Sequence, residues 1–235
     1  MEIVHDEPPS VERIRERRER LEARLRAAAE ANGQDPDRLR IVAVTKAWPV
    51  EVARGALEAG CKLLGESRVQ EAEPKVAAVP EAEWHLVGRL QSNKARRAVR
   101  AFAAIHSVDS FELLSRIAEL ATEESTAPRV LLQVNVTGEA AKAGISPGAL
   151  LTPDGLAAVR GARPAGLMTM ARMGASTDEA RATFRGLREL RDRLQEATGT
   201  HLPELSMGMT ADADAAAAEG ATLVRLGTAL FGPRP

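Results

Sequence analysis

The sequence predicts an α/β fold: a single (β/α)8 barrel of the TIM type with one additional N-terminal helix. Three observations carry this expectation. Eight short, β-rich apolar runs fall between residues 41 and 227. Helix-like segments separate them, so strand and helix alternate as they do around a parallel sheet. The runs are apolar almost throughout, as strands buried on both faces must be. A doubly wound open sheet is the structural alternative, but no Gly-x-Gly-x-x-Gly follows a strand.

In chain order, residues 1–9 read as an N-terminal tail, and residues 10–235 as one domain with its first helix at 10–31 and its barrel at about 41–232. Ser10, after Pro8 and Pro9, is the expected N-cap, and Val11, Ile14, Leu21, Leu25 and Ala28 share one face. The run RIRERRERLEARLR mixes both signs, which fits a solvated face better than a nucleic-acid arm. Asn32-Gly33 and Pro36 end the helix. The strands are expected at IVAVT (41–45), KLLGE (62–66), WHLVG (84–88), AAIHSV (103–108), VLLQVNV (130–136), AGLMTM (165–170), ELSMG (204–208) and TLVRLG (222–227). Between them lie VEVARGALEAG, RVQEAEPKVAAV, NKARRAVRAF, SFELLSRIAELATEE, TPDGLAAVRGA, TDEARATFRGLRELRDRLQEATG and DADAAAAEG as helices. No composition shift, Gly/Ser linker or low-complexity tract divides the chain.

Composition excludes several function classes. With 235 residues, 44% of them hydrophobic, the chain has ample material for a core. Its 32 Lys+Arg against 33 Asp+Glu leave a net charge of −1, no drive toward nucleic acid or anionic membrane. The longest stretch without a charge, residues 143–153, is 11 residues and too short to cross a bilayer. The start, MEIVHDEPPS, has no basic region ahead of an apolar run, so no secretory signal is expected. One cysteine, Cys61, excludes an intramolecular disulfide framework and a multi-cysteine zinc site. A cytoplasmic globular protein follows, and the charged first helix favours a monomer.

In a barrel, chemistry collects where strands end. Those positions here are Lys46, Glu66 and Ser67, residues 85–88 and 107–109, Asn135, Met168 and Thr169, and residues 206–208 and 225–228. Lys46 directly follows IVAVT, so it is expected at the mouth, where partial desolvation favours the free amine that attacks aldehydes. The plainer reading is a strand-terminal lysine reaching for solvent. Ser206, Met207, Gly208, Met209 and Thr210 lead into an Ala-rich helix, and Gly227 and Thr228 follow the eighth strand. Small residues let backbone N–H groups approach an anion, hydroxyls add donors, and barrels commonly hold phosphate after strands seven and eight. Ordinary glycine turns are the alternative. An imine-forming lysine opposite a phosphate cradle is what pyridoxal 5′-phosphate (PLP) requires.

The segments VAVTK (42–46), GESRVQE (65–71), WHLVGRLQSNK (84–94), VNVTGEAAKAG (134–144), GLMTM (166–170), LSMGMTADADAAAAEGAT (205–222) and VRLGTALFG (224–232) occur in that order. Together they resemble the pyridoxal phosphate homeostasis protein family, whose members are single barrels similar to the N-terminal domain of alanine racemase. The resemblance implies that Lys46 binds PLP covalently as a Schiff base. It implies that Ser206 and the following backbone of Met207 and Gly208, with Gly227 and Thr228, hold the phosphate. Arg225 would face the pyridine nitrogen, and His85 and Met168 would line the pocket. The chain departs from the family in two ways: Ser67 stands where Asn is usual, and Ala213 and Ala217 replace bulkier apolar residues.

Arg225 separates the activities. A carboxylate beside the pyridine nitrogen would keep it protonated and make the ring an electron sink; a guanidinium disfavours that proton. Racemisation would still need a second acid/base on the opposite face. The racemases supply a tyrosine from an additional domain, whereas this chain has no tyrosine and no residues beyond the barrel for such a domain. The expectation is a non-catalytic protein that holds PLP and delivers it to apoenzymes, with no catalytic residue and no metal ligand. A weak PLP-dependent amino-acid racemase is the alternative, and a cofactor-free, aldolase-like barrel using Lys46 is a third reading.

The remaining polar features read as structural. Cys61 is expected to be buried at a helix-to-strand junction. His5 lies in the tail, and His106 and His201 have no partners at metal-ligand spacing. Arg89, Lys94, Arg96, Arg97 and Arg100 form a solvated basic face without interleaved aromatics, unlike a nucleic-acid surface.

Overall fold

The structure, a computed structural model, describes residues 8–139 and 143–233. Helix α1 (Val11–Glu30) precedes β1 (Arg40–Val44), α2 (Val50–Glu58), β2 (Leu63–Glu66), α3 (Val69–Ala78), β3 (Glu83–Leu86), α4 (Ala95–Ala101), β4 (Ala104–Val108) and α5 (Phe111–Glu123). Then come β5 (Arg129–Gln133), α6 (Pro147–Leu150), α7 (Pro153–Ala162), β6 (Gly166–Met168), α8 (Thr177–Thr198), β7 (Glu204–Ser206), α9 (Ala213–Ala218), β8 (Leu223–Leu226) and α10 (Thr228–Phe231). The strands close in sequence order, and β8 returns to β1 in parallel through Val42 opposite Arg225. The (β/α)8 barrel is therefore what the alternation of apolar runs and helices indicated. Helices α6 and α10, four residues each, were not foreseen because one turn carries no helical period.

Local chemistry accounts for the element ends. The Ser10 hydroxyl accepts from the Arg13 amide at 3.3 Å and caps α1. At α8, Ser176 and Glu179 form a reciprocal capping box, and Gly199, at φ 67°, ends the helix in the left-handed region. Ile14, Leu21, Leu25 and Ala29 of α1 are buried, and α1 packs on α2, α9 and α10. The alanines of α9, Ala213 and Ala217 among them, are buried beneath it. Their small side chains let the extra helix lie close over the wall where the barrel closes.

The barrel interior departs from the all-apolar expectation. Val42, Leu63, Leu131, Met168 and Leu223 form an apolar cluster there. At the strand starts, however, Arg40, Glu83, Arg129 and Glu204 come from β1, β3, β5 and β7, alternate strands as barrel layers require. Arg40 Nη2 lies 2.8 Å from Glu204 Oε1, and Arg129 pairs with both Glu204 and Glu83. Arg40, Glu83 and Arg129 stand one residue ahead of their apolar runs and so read as loop residues in the sequence.

Candidate cofactor site

A cavity of about 670 Å³ opens at the C-terminal ends of the strands, within the usual range for a small-ligand site. Lys46, Arg225, Gly227 and Thr228 line it together with Val44, Ser67, Val87, Gly88, Arg89, Gln133, Met170 and residues 209–211. Its lining holds three cations, Lys46, Arg89 and Arg225, and no carboxylate among the described residues.

The backbone that carries Lys46 is clamped from behind. Ala47 has φ 65°, a left-handed conformation that costs an alanine about 1 kcal/mol. The Trp48 amide closes that turn on the Thr45 carbonyl at 3.1 Å. Outside the barrel wall, Lys75 Nζ donates to the Thr45 carbonyl at 2.8 Å and to Glu66 Oε1 at 2.6 Å. The Thr45 hydroxyl donates to the same carboxylate oxygen at 2.7 Å. Lys75, Glu66 and Thr45 are all buried. The sequence reading assigned Lys75 no role. The missed signal was its spacing from Val69 and Ala72, which puts a charge on a buried helical stripe.

Arg225 forms the floor of the cavity. Burial pushes its guanidinium down to about 10, with the Asp212 charge opposing. Nη1 donates to Ser206 Oγ at 2.6 Å and Nη2 to the Thr169 carbonyl at 3.0 Å. Ser206 Oγ is also 2.7 Å from His106 Nδ1. The side chain expected to hold phosphate is thus fully buried and committed to Arg225 and His106 beneath the cavity.

Its two neighbours shape the turn instead of reaching the cavity. Met207 is buried in the outer core between strands and helices. Gly208, at φ 88°, accepts the Arg225 amide at 3.1 Å, and a Cβ there would lie 2.5 Å from that of Ala216. Thr210, named in the motif but given no separate role, is the hydroxyl of this turn that lines the cavity, beside Met209 and Ala211.

His85 and Met168 also lie below the cavity and do not line it. Met168 belongs to the interior apolar cluster. His85 Nδ1 is 2.8 Å from His106 Nε2, and its Nε2 is 3.0 Å from Glu83 Oε1. The β3 register decides this: His85 and Val87 both face inward, and Val87 takes the upper position. Burial pushes both imidazoles below the ordinary histidine value, well below it for His106. The hydrogen bond from His85 and the Arg129 charge hold Glu83 below the usual carboxylate range.

These two histidines are neutral in the folded protein and must charge as it unfolds in acid. Below the unfolded value of 6.5 the unfolded chain binds more protons, so stability falls as pH drops, by up to about 1.4 kcal/mol per pH unit for each histidine. Urea midpoints measured from neutral pH downward should decline in this window; equal midpoints would show that the imidazoles are not held neutral.

The other polar features are structural. Cys61 is buried and its thiol is pushed up to about 11 by that burial. Arg96 and Arg100 pair with Glu124, and Arg97 with Glu73, so the basic face is neutralised by neighbouring helices. His201 is exposed, and His5 lies outside the described residues. Among the described residues, no group of three His, Cys, Asp or Glu is placed to hold a metal ion. No helix among them is long and apolar enough to cross a membrane.

Comparison with known proteins agrees with this fold. The profile of the family "Alanine racemase, N-terminal domain" matches residues 17–235. A pyridoxal phosphate homeostasis protein of Aquifex aeolicus is 38% identical, over 93% of this chain and 97% of that one. One from Deinococcus radiodurans is 41% identical, over 89% and 96%. The structure of PipY from Synechococcus elongatus with PLP bound superposes with a TM-score of 0.76 at 39% identity, covering 90% of this chain and 100% of that one. An alanine racemase of Clostridium difficile, 17% identical with a TM-score of 0.70 over 84% of this chain and 53% of its own, shares the fold. The chain belongs to the pyridoxal phosphate homeostasis protein family, built on the barrel of the alanine racemase N-terminal domain.

Proposed function

We propose that this chain binds PLP in the mouth cavity, holds it covalently as a Schiff base on Lys46, and serves intracellular PLP homeostasis by storing the cofactor and passing it to apoenzymes. The observation that carries the reading is one cavity uniting an amine, a buried guanidinium and two small-residue turns, with cations and, among the described residues, no carboxylate in its lining. The barrel interior adds to this. Arg225 is fully buried and its guanidinium donates to two neutral oxygens, so it brings a positive charge to the cavity floor. An anionic ligand matches that charge.

The residues present fit the cofactor. Lys46 suits its aldehyde. The turns at 209–211 and 227–228, with the Thr210 and Thr228 hydroxyls, suit its phosphate. Arg225 suits its ring nitrogen. When bound, PLP supplies an electrophilic aldehyde conjugated to a pyridine ring. Arg225 disfavours protonation of that ring and so weakens it as an electron sink. Among the described residues lining the cavity, none is a carboxylic acid, imidazole or phenol that could serve as a second proton carrier opposite Lys46. Storage and transfer without turnover follow.

Borohydride reduction of the PLP-loaded protein should add the mass of one pyridoxyl phosphate, mapped to the peptide bearing Lys46. An unchanged mass, or an adduct on another lysine, would sink the reading. A trapped sugar or other carbonyl compound would favour the aldolase-like alternative. Enzyme-rate exchange of amino-acid α-protons in deuterated water would favour the racemase.

A further inference from the structure

Beneath the cavity, a column of polar side chains crosses the barrel core. Four hydrogen bonds link Glu83 to His85 (3.0 Å), His85 to His106 (2.8 Å), His106 to Ser206 (2.7 Å) and Ser206 to Arg225 (2.6 Å). Its ends are chemically fixed: an ionised carboxylate only accepts and a guanidinium only donates. Reading upward, His85 Nε2–H donates to Glu83, leaving Nδ1 to accept. His106 Nε2–H donates to that nitrogen, and its own Nδ1 accepts from the Ser206 hydroxyl. The Ser206 lone pair must then face Arg225. Each link has one donor and one acceptor with both imidazoles neutral, so a single arrangement of protons satisfies the whole column.

Around it pack Val42, Leu131, Met168 and Leu223, and barrel interiors are ordinarily filled by such side chains. Four strands contribute to the column, and its upper end alone reaches the cavity. No salt bridge joins Arg225 to a carboxylate among the described residues. Its Nη1 and Nη2 donate to neutral oxygens, those of Ser206 and Thr169.

We infer that Glu83, His85, His106 and Ser206 are positioning residues for Arg225: the column fixes the plane of the guanidinium and keeps its full charge at the cavity floor, so that the ring nitrogen of a bound pyridine aldehyde stays unprotonated. This rests on the PLP reading above. Glu83, at the opposite end of the barrel, acts on Arg225 through the three side chains between, and hydrogen-bond chains in low dielectric polarise cooperatively. The Arg40, Arg129 and Glu204 charges beneath, and Asp212 above, remain in place when the column is cut.

The test uses holoprotein loaded with PLP labelled with 15N in the ring, and follows ring protonation by NMR as pH is lowered. Wild type should keep the ring unprotonated to about pH 5, while Ser206→Ala should raise the protonation midpoint by about one pH unit, a tenfold change. Ser206→Thr, which keeps the hydroxyl, should retain the wild-type midpoint. A structural role confined to the core would leave all the midpoints alike, and that result with PLP bound in every variant would overturn the inference. No adduct in reduced wild type would instead overturn the binding reading and this one with it. The wild-type apoprotein offers a check that no folding failure can obscure. Two slowly exchanging imidazole N–H resonances should persist near neutral pH, and their rapid exchange with water would break the column.

Discussion

Lys46→Ala should yield a folded protein that binds no chromophore covalently: no visible Schiff-base band after incubation with PLP and no borohydride-stable adduct. Lys46 is half-buried at the mouth, and the turn beneath it is held through Thr45, Glu66 and Lys75. Removing the amine therefore leaves the scaffold within about 0.5 kcal/mol of wild type. Arg225 and the two turns would still attract the phosphate and ring, so weak binding should survive. Retention should fall by about two orders of magnitude, equivalent to about 2.8 kcal/mol. Lys46→Arg separates charge from nucleophilicity, because a guanidinium keeps the cation but forms no imine at working pH. Equilibrium dialysis should find Lys46→Arg tighter than Lys46→Ala and equally devoid of the band. A visible band persisting in either variant would place the amine elsewhere.

The largest effect on stability is expected from Lys75→Met. Glu66 is fully buried, and its Oε2 already lacks a hydrogen-bond partner. Removing Lys75 strands this carboxylate and takes the ammonium donor from the Thr45 carbonyl. Breaking a buried pair from one side costs about 3–5 kcal/mol, or roughly 10 °C in Tm for a chain of this size. Removing both charges is another matter: Glu66→Leu with Lys75→Met should recover most of the loss, since an apolar pair of similar volume avoids the desolvation cost. Urea unfolding of the two single variants and the double variant closes the cycle. A single-variant loss below about 1 kcal/mol would show that water reaches Glu66.

Much of the architecture was legible because it depends on local pattern. Eight apolar runs bounded by Gly, Pro and polar residues specify strands, and the amphipathic stretches between them specify helices, whatever lies elsewhere in the chain. Lys46 could be placed because it directly follows a strand, and strand ends in a barrel share one rim. Gly227 and Thr228 follow β8 for the same reason, and the cavity contains them. Ser206 was harder. It sits in the right segment, yet Thr210, four residues on, reaches the cavity, because β7 ends with the Ser206 side chain inward and low. A one-residue difference in where a strand stops decides which side chain tops the layer.

Local pattern along the chain specifies the alternation, the number of strands, the lysine at the rim and the small-residue turns, since each is set by residues near one another in the chain. What lies between those strands depends on contacts that form only on barrel closure. His106 and Ser206 are 100 residues apart, and Arg129 and Glu204 are 75 apart. Each alone reads as an isolated polar residue beside an apolar run. They meet only when the barrel closes with a particular register, and closure is a property of all eight strands together.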